Sequence, residues 1–327
     1  AGTLTVSAAP LTLTVNSVSR SYGATNPVFS GSLTGVTNND NITATYASTG
    51  TTNSVPGGYA ITPTLSDPGS KLGNYTVTTN SGTLTVGQAA LLVSANSKSR
   101  AYGASNPIFT VSYSGFVNGQ NSGNAGISGA PVQTTSAATN SVVGTYVITN
   151  AVGTLTSANY SLTPSNGVLT VTQALLTVTV DSYSRAYGSA NPTLTGTIVG
   201  IVNNDGISAT YATAATSGSA AGTYAITATL IDPGSKLGNY SVTTNNGTLT
   251  VTNLSGAAAT LSSWSYGSSQ FQFTVTGTAG ASYIVQAATN LSSPDWVSLA
   301  TNTVPFTFTD TAAGSYTQRF YRAKSAQ

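Results

Sequence analysis

The sequence lacks several residue types that carry protein chemistry. It has no histidine, cysteine, methionine or glutamate, and only 5% of its 327 residues are charged, against roughly 25% in ordinary globular domains. Without cysteine no disulfide forms. Without histidine, cysteine and glutamate, the commonest acid–base, nucleophilic and metal-binding sites are excluded. We therefore expect no enzyme, no cofactor and no metal centre.

Charge is balanced as well as sparse. The chain has nine Lys and Arg residues and seven acidic residues, all of them Asp, which gives a net charge of +2. This gives no electrostatic footprint for nucleic acid or an anionic membrane. No apolar run approaches the ~18 residues of a membrane-inserted helix. The absence of an initiator Met and of a leader predicts a processed chain or a fragment. With little to oxidise, the composition favours a secreted protein, extracellular or at the cell surface.

Most of the chain consists of three repeats. They span Leu11–Val86, Leu91–Val171 and Leu175–Val251, and each closes with GTLTV or GVLTV. Repeats 1 and 3 share long matches, such as DPGSKLGNYTVTTNSGTLTV at Asp67–Val86 and DPGSKLGNYSVTTNNGTLTV at Asp232–Val251. Repeat 2 diverges further but retains SRAYGASNP, GTYVIT and NGVLTV.

The local pattern is that of β-strands throughout. Stretches such as LTLTVNS, ITATYAST and YAITPTL alternate apolar residues with Thr, Ser or Asn, which is typical of half-buried strands. We predict an all-β protein of tandem immunoglobulin-like antiparallel β-sandwich modules in an elongated rod, with β-grasp modules as the alternative for the repeats. The predicted boundaries are 1–9 for an N-terminal strand and linker, 10–87, 88–173 and 174–252 for repeats 1 to 3, and 253–327 for a C-terminal module, here called the tail.

The tail differs from the repeats in its aromatic content. It contains both tryptophans of the chain, and FQFTVTG, SYIVQAATN, WVSLA, PFTFTDT and RFYRAK predict a further set of strands. We interpret its aromatic side chains chiefly as core residues rather than as a platform for a ligand.

Both parts of the chain resemble known families. The motif (S)RxYGxxNP, followed by GTYxIT, NYxV and GTLTV, is similar to MBG surface repeats with a Tyr-Gly signature, found in tandem in large secreted bacterial proteins. The tail resembles a small fibronectin-like module of secreted bacterial proteins, through QAATNL at Gln286–Leu291, Trp296, FTD at Phe308–Asp310 and RFYR at Arg319–Arg322. These resemblances imply a surface location, a stalk or adhesive role, and no catalytic residues.

Each repeat has an Arg and a Tyr two residues apart, so that both lie on one face of an extended chain. The pairs are Arg20 and Tyr22, Arg100 and Tyr102, and Arg185 and Tyr187. A functional interpretation makes the Arg a clamp for a carbohydrate or carboxylate. A structural one has its guanidinium donate to backbone carbonyls while its stem packs on the Tyr. No Asp occurs between Asp67 and Asp181, so Arg100 needs no acidic partner in its repeat, and we favour the structural interpretation.

The carboxylates predict turns rather than an active site. Asp40 and Asp205 lie in NND turns, and Asp67 and Asp232 begin DPGS turns, where Asp caps its own backbone. Repeat 2 has no Asp at all, which excludes a repeated pair of glycosidase-type carboxylates. A calcium site is also disfavoured, because its oxygen ligands would need several carboxylates close together.

The chain opens with the strand that elsewhere closes a repeat. The connector SAAP, between this GTLTV and Leu11, matches the connectors between repeats and spans at most ~14 Å. That is too short to return the strand into repeat 1, which has its own copy. We therefore expect an unpaired strand made of Gly2, Thr3, Leu4, Thr5 and Val6. Either the chain is cut from a longer array, or this strand enters another copy by β-augmentation.

We favour donation of this strand to the tail of a neighbouring copy, because such a head-to-tail contact generates an open filament. The predicted function is a structural subunit of a bacterial extracellular filament whose partner is itself. The alternative is a stalk fragment of a surface adhesin whose tail binds a glycan or a host protein. Both interpretations use the same acceptor or ligand surface, formed by Trp264, Tyr266 and Trp296.

Overall fold

The computed structural model describes residues 1–252 and 258–326. They belong to two compact units, Ala1–Thr172 and Gln173–Gln327. The described residues contain no α-helix, so the repeats are not β-grasp modules, which carry a helix across their sheet. The helical turns are 3₁₀, at Leu72–Asn74, Leu237–Asn239 and Ala313–Ser315. None of the described helices has the length and apolarity to cross a bilayer.

The first unit contains repeats 1 and 2. The strands of repeat 1 are β1 (Ala9–Val15), β2 (Val18–Ser21), β3 (Gly31–Thr34), β4 (Thr43–Ser48), β5 (Gly57–Ser66), β6 (Tyr75–Asn80) and β7 (Gly82–Gly87). Their sheets have the orders β3–β1–β6 and β2–β7–β5–β4. Alternation along β1 and β7 buries Leu11, Leu13, Leu84 and Val86. Ala9 begins β1, so the predicted linker ends one residue earlier than expected.

Repeat 2 adds a small extra sheet to the same plan. Its strands are β8 (Ala89–Ala95), β9 (Lys98–Ala101), β10 (Val111–Ser114), β11 (Ile127–Ser128), β12 (Val132–Thr134), β13 (Gly144–Ala151), β14 (Thr156–Ser157), β15 (Tyr160–Ser165) and β16 (Gly167–Thr172). The main sheets are β10–β8–β15 and β12–β13–β16–β9, and β11 pairs with β14.

The second unit contains repeat 3 and the tail. The strands of repeat 3 are β17 (Ala174–Val180), β18 (Tyr183–Ala186), β19 (Gly196–Val199), β20 (Ser208–Thr213), β21 (Gly222–Ile231), β22 (Tyr240–Asn245) and β23 (Gly247–Thr252). They form sheets β19–β17–β22 and β18–β23–β21–β20, the same arrangement as in repeat 1.

The tail is a separate sandwich with an aromatic core. Its strands are β24 (Thr260–Gly267), β25 (Gln270–Thr276), β26 (Ser282–Ala288), β27 (Val297–Thr303), β28 (Phe306–Asp310) and β29 (Phe320–Ser325). They form antiparallel sheets β24–β25–β28 and β27–β26–β29. Phe273 and Tyr283 are fully buried between them, which places these aromatic residues in the core.

The sheets of the repeats are mixed, which corrects the expectation of antiparallel sandwiches. β1 and β2 are nearly continuous and change sheets at residues 16–17, and β6 and β7 do so at residue 81. The two runs lie parallel, with Ala9 opposite Tyr75 and Val18 opposite Leu84. The same parallel pairs recur as β8 with β15, β9 with β16, β17 with β22 and β18 with β23. Apolar–polar alternation is identical for both strand directions, so the sequence did not reveal this.

This crossing explains the glycine that begins each closing strand. A Cβ on Gly82 would lie 2.8 Å from Cγ1 of Val15 and 2.9 Å from the carbonyl oxygen of Asn16. Gly167 and Gly247 face backbone oxygens of the crossing run at similarly close range. The G of GTLTV therefore marks a strand that meets another stretch of backbone at its first residue.

Candidate functional site

The signature arginines are buried and hydrogen-bonded without acidic partners. Arg20 donates from Nε to Oδ1 of Asn26 at 2.6 Å and from Nη1 to the carbonyl of Ser21 at 3.1 Å, and Nη2 bonds the carbonyl of Thr51. Nδ2 of Asn26 in turn donates to the carbonyl of Gly50 at 2.7 Å. These hydrogen bonds agree with the first part of the structural interpretation, since the guanidinium donates to two backbone carbonyls. The third acceptor is a side-chain amide oxygen, and packing of the Arg stem on the Tyr stays a prediction.

The other repeats contain the same network. Nε of Arg100 donates to Asn106 at 2.7 Å, and Nε of Arg185 donates to Asn191 at 2.6 Å. Sequence reasoning missed these Asn residues. The signal that identifies them is the N of SRxYGxxNP, which recurs six residues after the Arg in every repeat.

The signature tyrosine of repeat 1 packs into repeat 2. The buried ring of Tyr22 meets the ring of Tyr160 edge-on, with centroids 5.7 Å apart. A Cβ on Gly23 would collide with Val117, so only glycine lets the loop approach this closely. We call the surface formed by Val117 and Tyr160 the socket of repeat 2.

A one-residue linker fixes this contact. Nε2 of Gln88 donates to the carbonyls of Ser157 and Ala158 at 3.1 and 3.2 Å. Nδ2 of Asn118 donates to the carbonyl of Thr52 at 3.2 Å. Repeats 1 and 2 are therefore joined by packing and by directed hydrogen bonds, and not by the covalent linker alone.

The signature tyrosines differ in exposure. Tyr102 is buried like Tyr22, whereas Tyr187 is 36% exposed. The sequence predicts the same position for all three and does not show this difference in exposure.

The carboxylates of the repeats have structural partners. Tyr75 donates its hydroxyl to Oδ2 of Asp40 at 2.6 Å, and Tyr240 does the same to Asp205 at 2.6 Å. In the second turn type, Oδ2 of Asp67 accepts from a backbone N–H at 2.6 Å. Backbone hydrogen bonds hold the pKa of Asp67 below its ordinary value of 3.8. The described residues contain no group of three or more potential metal ligands.

The segment Gly2–Val6 has a different environment from its three matching strands. Residues 1–8 form no strand, and Leu4 and Val6 are 88% and 85% exposed. In β7 the same pentapeptide buries Leu84 and Val86 almost completely. A Cβ on Gly2 would meet no atom within 4 Å, in contrast to the crowded Gly82. The first copy thus has the sequence of a core strand and no core.

An open socket lies beside this segment. A cavity of about 480 Å³ is lined by Val6, Thr37, Asp40 and Tyr75 among others. Thr37 and Tyr75 occupy the positions that correspond to Val117 and Tyr160 of repeat 2, which contact Gly23 and Tyr22. These positions of repeat 1 therefore line a cavity, whereas those of repeat 2 pack against Tyr22 and Gly23.

The three predicted tail residues have two different environments. Trp264 and Tyr266 are 63% and 65% exposed on β24. The guanidinium carbon of Arg322 instead lies over the ring of Trp296, 4.2 Å from the ring centroid. Arg322 also donates a hydrogen bond from Nε to Oε1 of Gln286 at 2.9 Å. Trp296 directly precedes β27, which belongs to the other sheet from β24, and Arg322 covers one face of its ring.

Near the start of β29 lies a buried charged cluster. Nη1 of Arg319 is 3.1 Å from Oδ2 of Asp310, an ion pair without hydrogen-bond alignment. Tyr321 donates its hydroxyl to the same oxygen at 2.8 Å. Burial, reinforced by this carboxylate, raises the pKa of Tyr321 far above its ordinary value. The guanidinium of Arg319 also lies 4.2 Å from the ring centroid of Tyr316. This cluster fixes the loop that leads into β29.

Comparison with known proteins identifies the repeats. The family model of the MBG domain (YGX type) matches residues 11–85, 91–170 and 176–250. It does not reach the tail, whose likeness to a fibronectin-like module stays a prediction. A comparison with curated proteins finds no match. MBG repeats are typical of bacterial surface proteins. With three matches that together cover most of its length, the chain belongs to the family of MBG domains of the YGX type.

Proposed function

We propose that this protein is a structural subunit of a bacterial extracellular filament, assembled head to tail by donation of Gly2–Val6 to the next copy. One observation carries the proposal: GTLTV is a buried strand at the end of each repeat in which it recurs, yet its first copy exposes Leu4 and Val6 almost fully. The proposal assigns the chain no catalytic role and no cofactor.

The physical reason for donation is the instability of a lone strand. An extended segment with unpaired N–H and C=O groups and two apolar side chains on one face is a template for pairing with another chain. β-Augmentation satisfies the backbone and buries the side chains together. The low charge of the chain leaves little repulsion to oppose contact between copies.

The open cavity at Thr37 and Tyr75 of repeat 1 also supports an interface at the N-terminal end of the chain. In repeat 2 the equivalent surface is covered by Tyr22, beside the closing strand β7. In repeat 1 the cavity at Thr37 and Tyr75 lies directly beside Val6. A neighbour that pairs with Gly2–Val6 is therefore also held against this face.

Assembly in this mode is heterologous, because the N-terminal end of one copy meets a different surface of the next. Such a contact does not close on itself unless the rotation happens to complete a ring, so it extends into a filament. The proposed partner is the protein itself, outside the cell.

Sedimentation of the purified chain at micromolar concentration tests this function. We expect large, concentration-dependent polymers from the intact chain and monomers from a chain lacking residues 1–6, which leaves β1 complete. The matched control is Leu175→Asn, which changes another leucine of high exposure, 68%. It should assemble normally, whereas Leu4→Asn should not. Equal assembly of the shortened and intact chains contradicts the proposal.

The exposure of Trp264 and Tyr266 favours a second candidate function, glycan binding by an adhesin stalk. Aromatic faces open to solvent suit stacking against sugar rings. Binding on a glycan array that is lost in Trp264→Ala, with the fold intact, would support this function.

A further inference from the structure

Resting on the proposed function, we propose that the acceptor of Gly2–Val6 is the open side of the tail sandwich in a second copy, between β24 and β29. The donated strand pairs with the edge of β29 and covers Tyr266 on β24. We call this surface the acceptor groove, lined by Tyr266, Phe271, Tyr316, Arg319 and Tyr321.

The strand pairing of the tail singles out this edge. Its two sheets have four edge strands: β24, β28, β27 and β29. Register shifts interrupt the pairing of β24 at Ser262/Ser265 and that of β27 opposite Val285/Gln286. Such bulges discourage further pairing at an edge. β28 pairs with β25, and β29 pairs with β26, without interruption. Of these two edge strands, β29 is the one that contributes to the cavity beside β24, since Tyr321 and Tyr266 both line it.

One aromatic residue of β24, Tyr266, lies on the inner face of the sandwich and is still exposed. Tyr266 is directly opposite Phe271, a residue packed against the tail core, and cross-strand partners share a face. Trp264 lies in the register shift between Ser262 and Ser265, where regular alternation of side chains is interrupted, so only Tyr266 is assigned to this face. Inner-face positions of a sandwich are normally buried. The 65% exposure of Tyr266 therefore indicates that no element of the described residues covers this side of the sandwich.

The cavity at this place has an aromatic floor and room for small aliphatic side chains. It measures about 290 Å³, at or below the lower end of the roughly 300–1,000 Å³ of small-molecule pockets. Its floor is formed by Phe271 and Tyr321, stacked with centroids 5.0 Å apart. Leu4 and Val6 are spaced as alternate residues of a strand, so both point to one side and enter the groove together.

The sandwich topology gives the same position. In immunoglobulin-type domains strands A, B and E share a sheet, and strand G follows F in the other. β24, β25 and β28 correspond to A, B and E, while β26 and β29 correspond to C and F. The outer edge of β29 is thus the position of strand G, and no strand of the described residues occupies it.

The direction and register of the donated strand on β29 follow from how the other strands of the tail pair. Every strand pair in the tail is antiparallel, and an antiparallel donor continues this pattern. Tyr321 and Ala323 face the core, so the inward residues of the donor stand opposite them. The preferred register places Val6 opposite Tyr321 and Leu4 opposite the small Ala323. Thr3 then stands opposite Lys324 on the solvent side.

Cysteine pairing between two full-length variants tests the acceptor, because the chain has no cysteine of its own. One population has Thr3→Cys and the other Lys324→Cys, which the register brings within disulfide range. In the matched control, the second population has Thr301→Cys and keeps Lys324. Both Lys324 and Thr301 are exposed and flank Ile284, but on opposite edges of the sheet.

We expect the Thr3–Lys324 link to form at least tenfold more than the Thr3–Thr301 link under mild oxidation. Equal yields, or an excess of the control link, from chains that still polymerise overturn the acceptor groove and leave the filament proposal standing. Absence of polymers from the intact chain overturns both.

A second measurement avoids dependence on the variants. The peptide AGTLTVSAA is added to the chain lacking residues 1–6, and amide exchange is followed along β29. We expect exchange at Phe320–Ser325 to slow several-fold, and no change with the same peptide in which Asn replaces both apolar donor residues. Unchanged exchange with the native peptide overturns the inference.

Discussion

Leu4 and Leu84 occupy the same position of the same pentapeptide, so truncating each to Ala separates folding from assembly. Leu84 is fully buried and Leu4 is 88% exposed. Leu84→Ala leaves a cavity in repeat 1 and should lower its free energy of unfolding by about 2–5 kcal/mol. Leu4→Ala should change the stability of the monomer by no more than about 0.5 kcal/mol.

Assembly should show the opposite order. If Leu4 is buried at each joint, its loss removes up to about 1.5–3 kcal/mol of apolar burial, which weakens association roughly ten- to hundred-fold. Urea unfolding, followed by amide exchange in β5 and β7, reports the first quantity, and the concentration of half-assembly in sedimentation reports the second. A Leu4→Ala chain that loses protection in repeat 1, or that assembles as well as the intact chain, would refute the reasoning.

Other predictions concern the repeats. Gly23→Ala should destabilise repeats 1 and 2 more than Gly188→Ala destabilises repeat 3, by comparison of urea midpoints. Both residues have φ +80°, but only Gly23 adjoins Val117, so Gly188→Ala incurs only the left-handed strain of roughly 1–2 kcal/mol. Asn106→Ala should cost about 1–3 kcal/mol, since it leaves a buried guanidinium nitrogen unpaired; an unchanged urea midpoint would contradict this. The lowered pKa of Asp67 means that its carboxylate stabilises the 67–72 turn above about pH 3.8. That contribution is lost as the pH falls through the folded-state pKa, so amide exchange at residue 72 should rise in acid, and Asp67→Asn should abolish this step.

Strands and repeat frame were predictable because both are properties of spacing. Alternation located β1 and β7, and the recurrence of GTLTV located the ends of the repeats. Strand direction was not predictable, because a parallel β1–β6 pair and an antiparallel pair have the same side-chain period. The sheet change at residues 16–17 leaves its trace in Gly82, whose role becomes clear only with the backbone that crosses it.

The candidate site was predictable in part for a similar reason. The exposure of Leu4 follows from connector length, a local property. That of Tyr266 does not, because alternation tells which face a residue occupies and not whether another element covers that face. The sequence alone could not distinguish Trp296 from Trp264 and Tyr266, and only the position of Arg322 over its ring does so.

The parallel strands of the repeats determine how each repeat responds to mechanical tension. In repeat 1 the backbone enters at Ala9 and leaves at Gly87, through runs that lie side by side in the same direction. Pulling on these two ends drives one run lengthwise past the other. The hydrogen bonds between them are then loaded in shear, all at once, rather than peeled apart in sequence. Arg20 on β2 is also bonded to the carbonyl of Thr51, between β4 and β5, so the first run is held by contacts besides those with β6 and β7. This geometry predicts that repeat 1 resists tension applied along the chain.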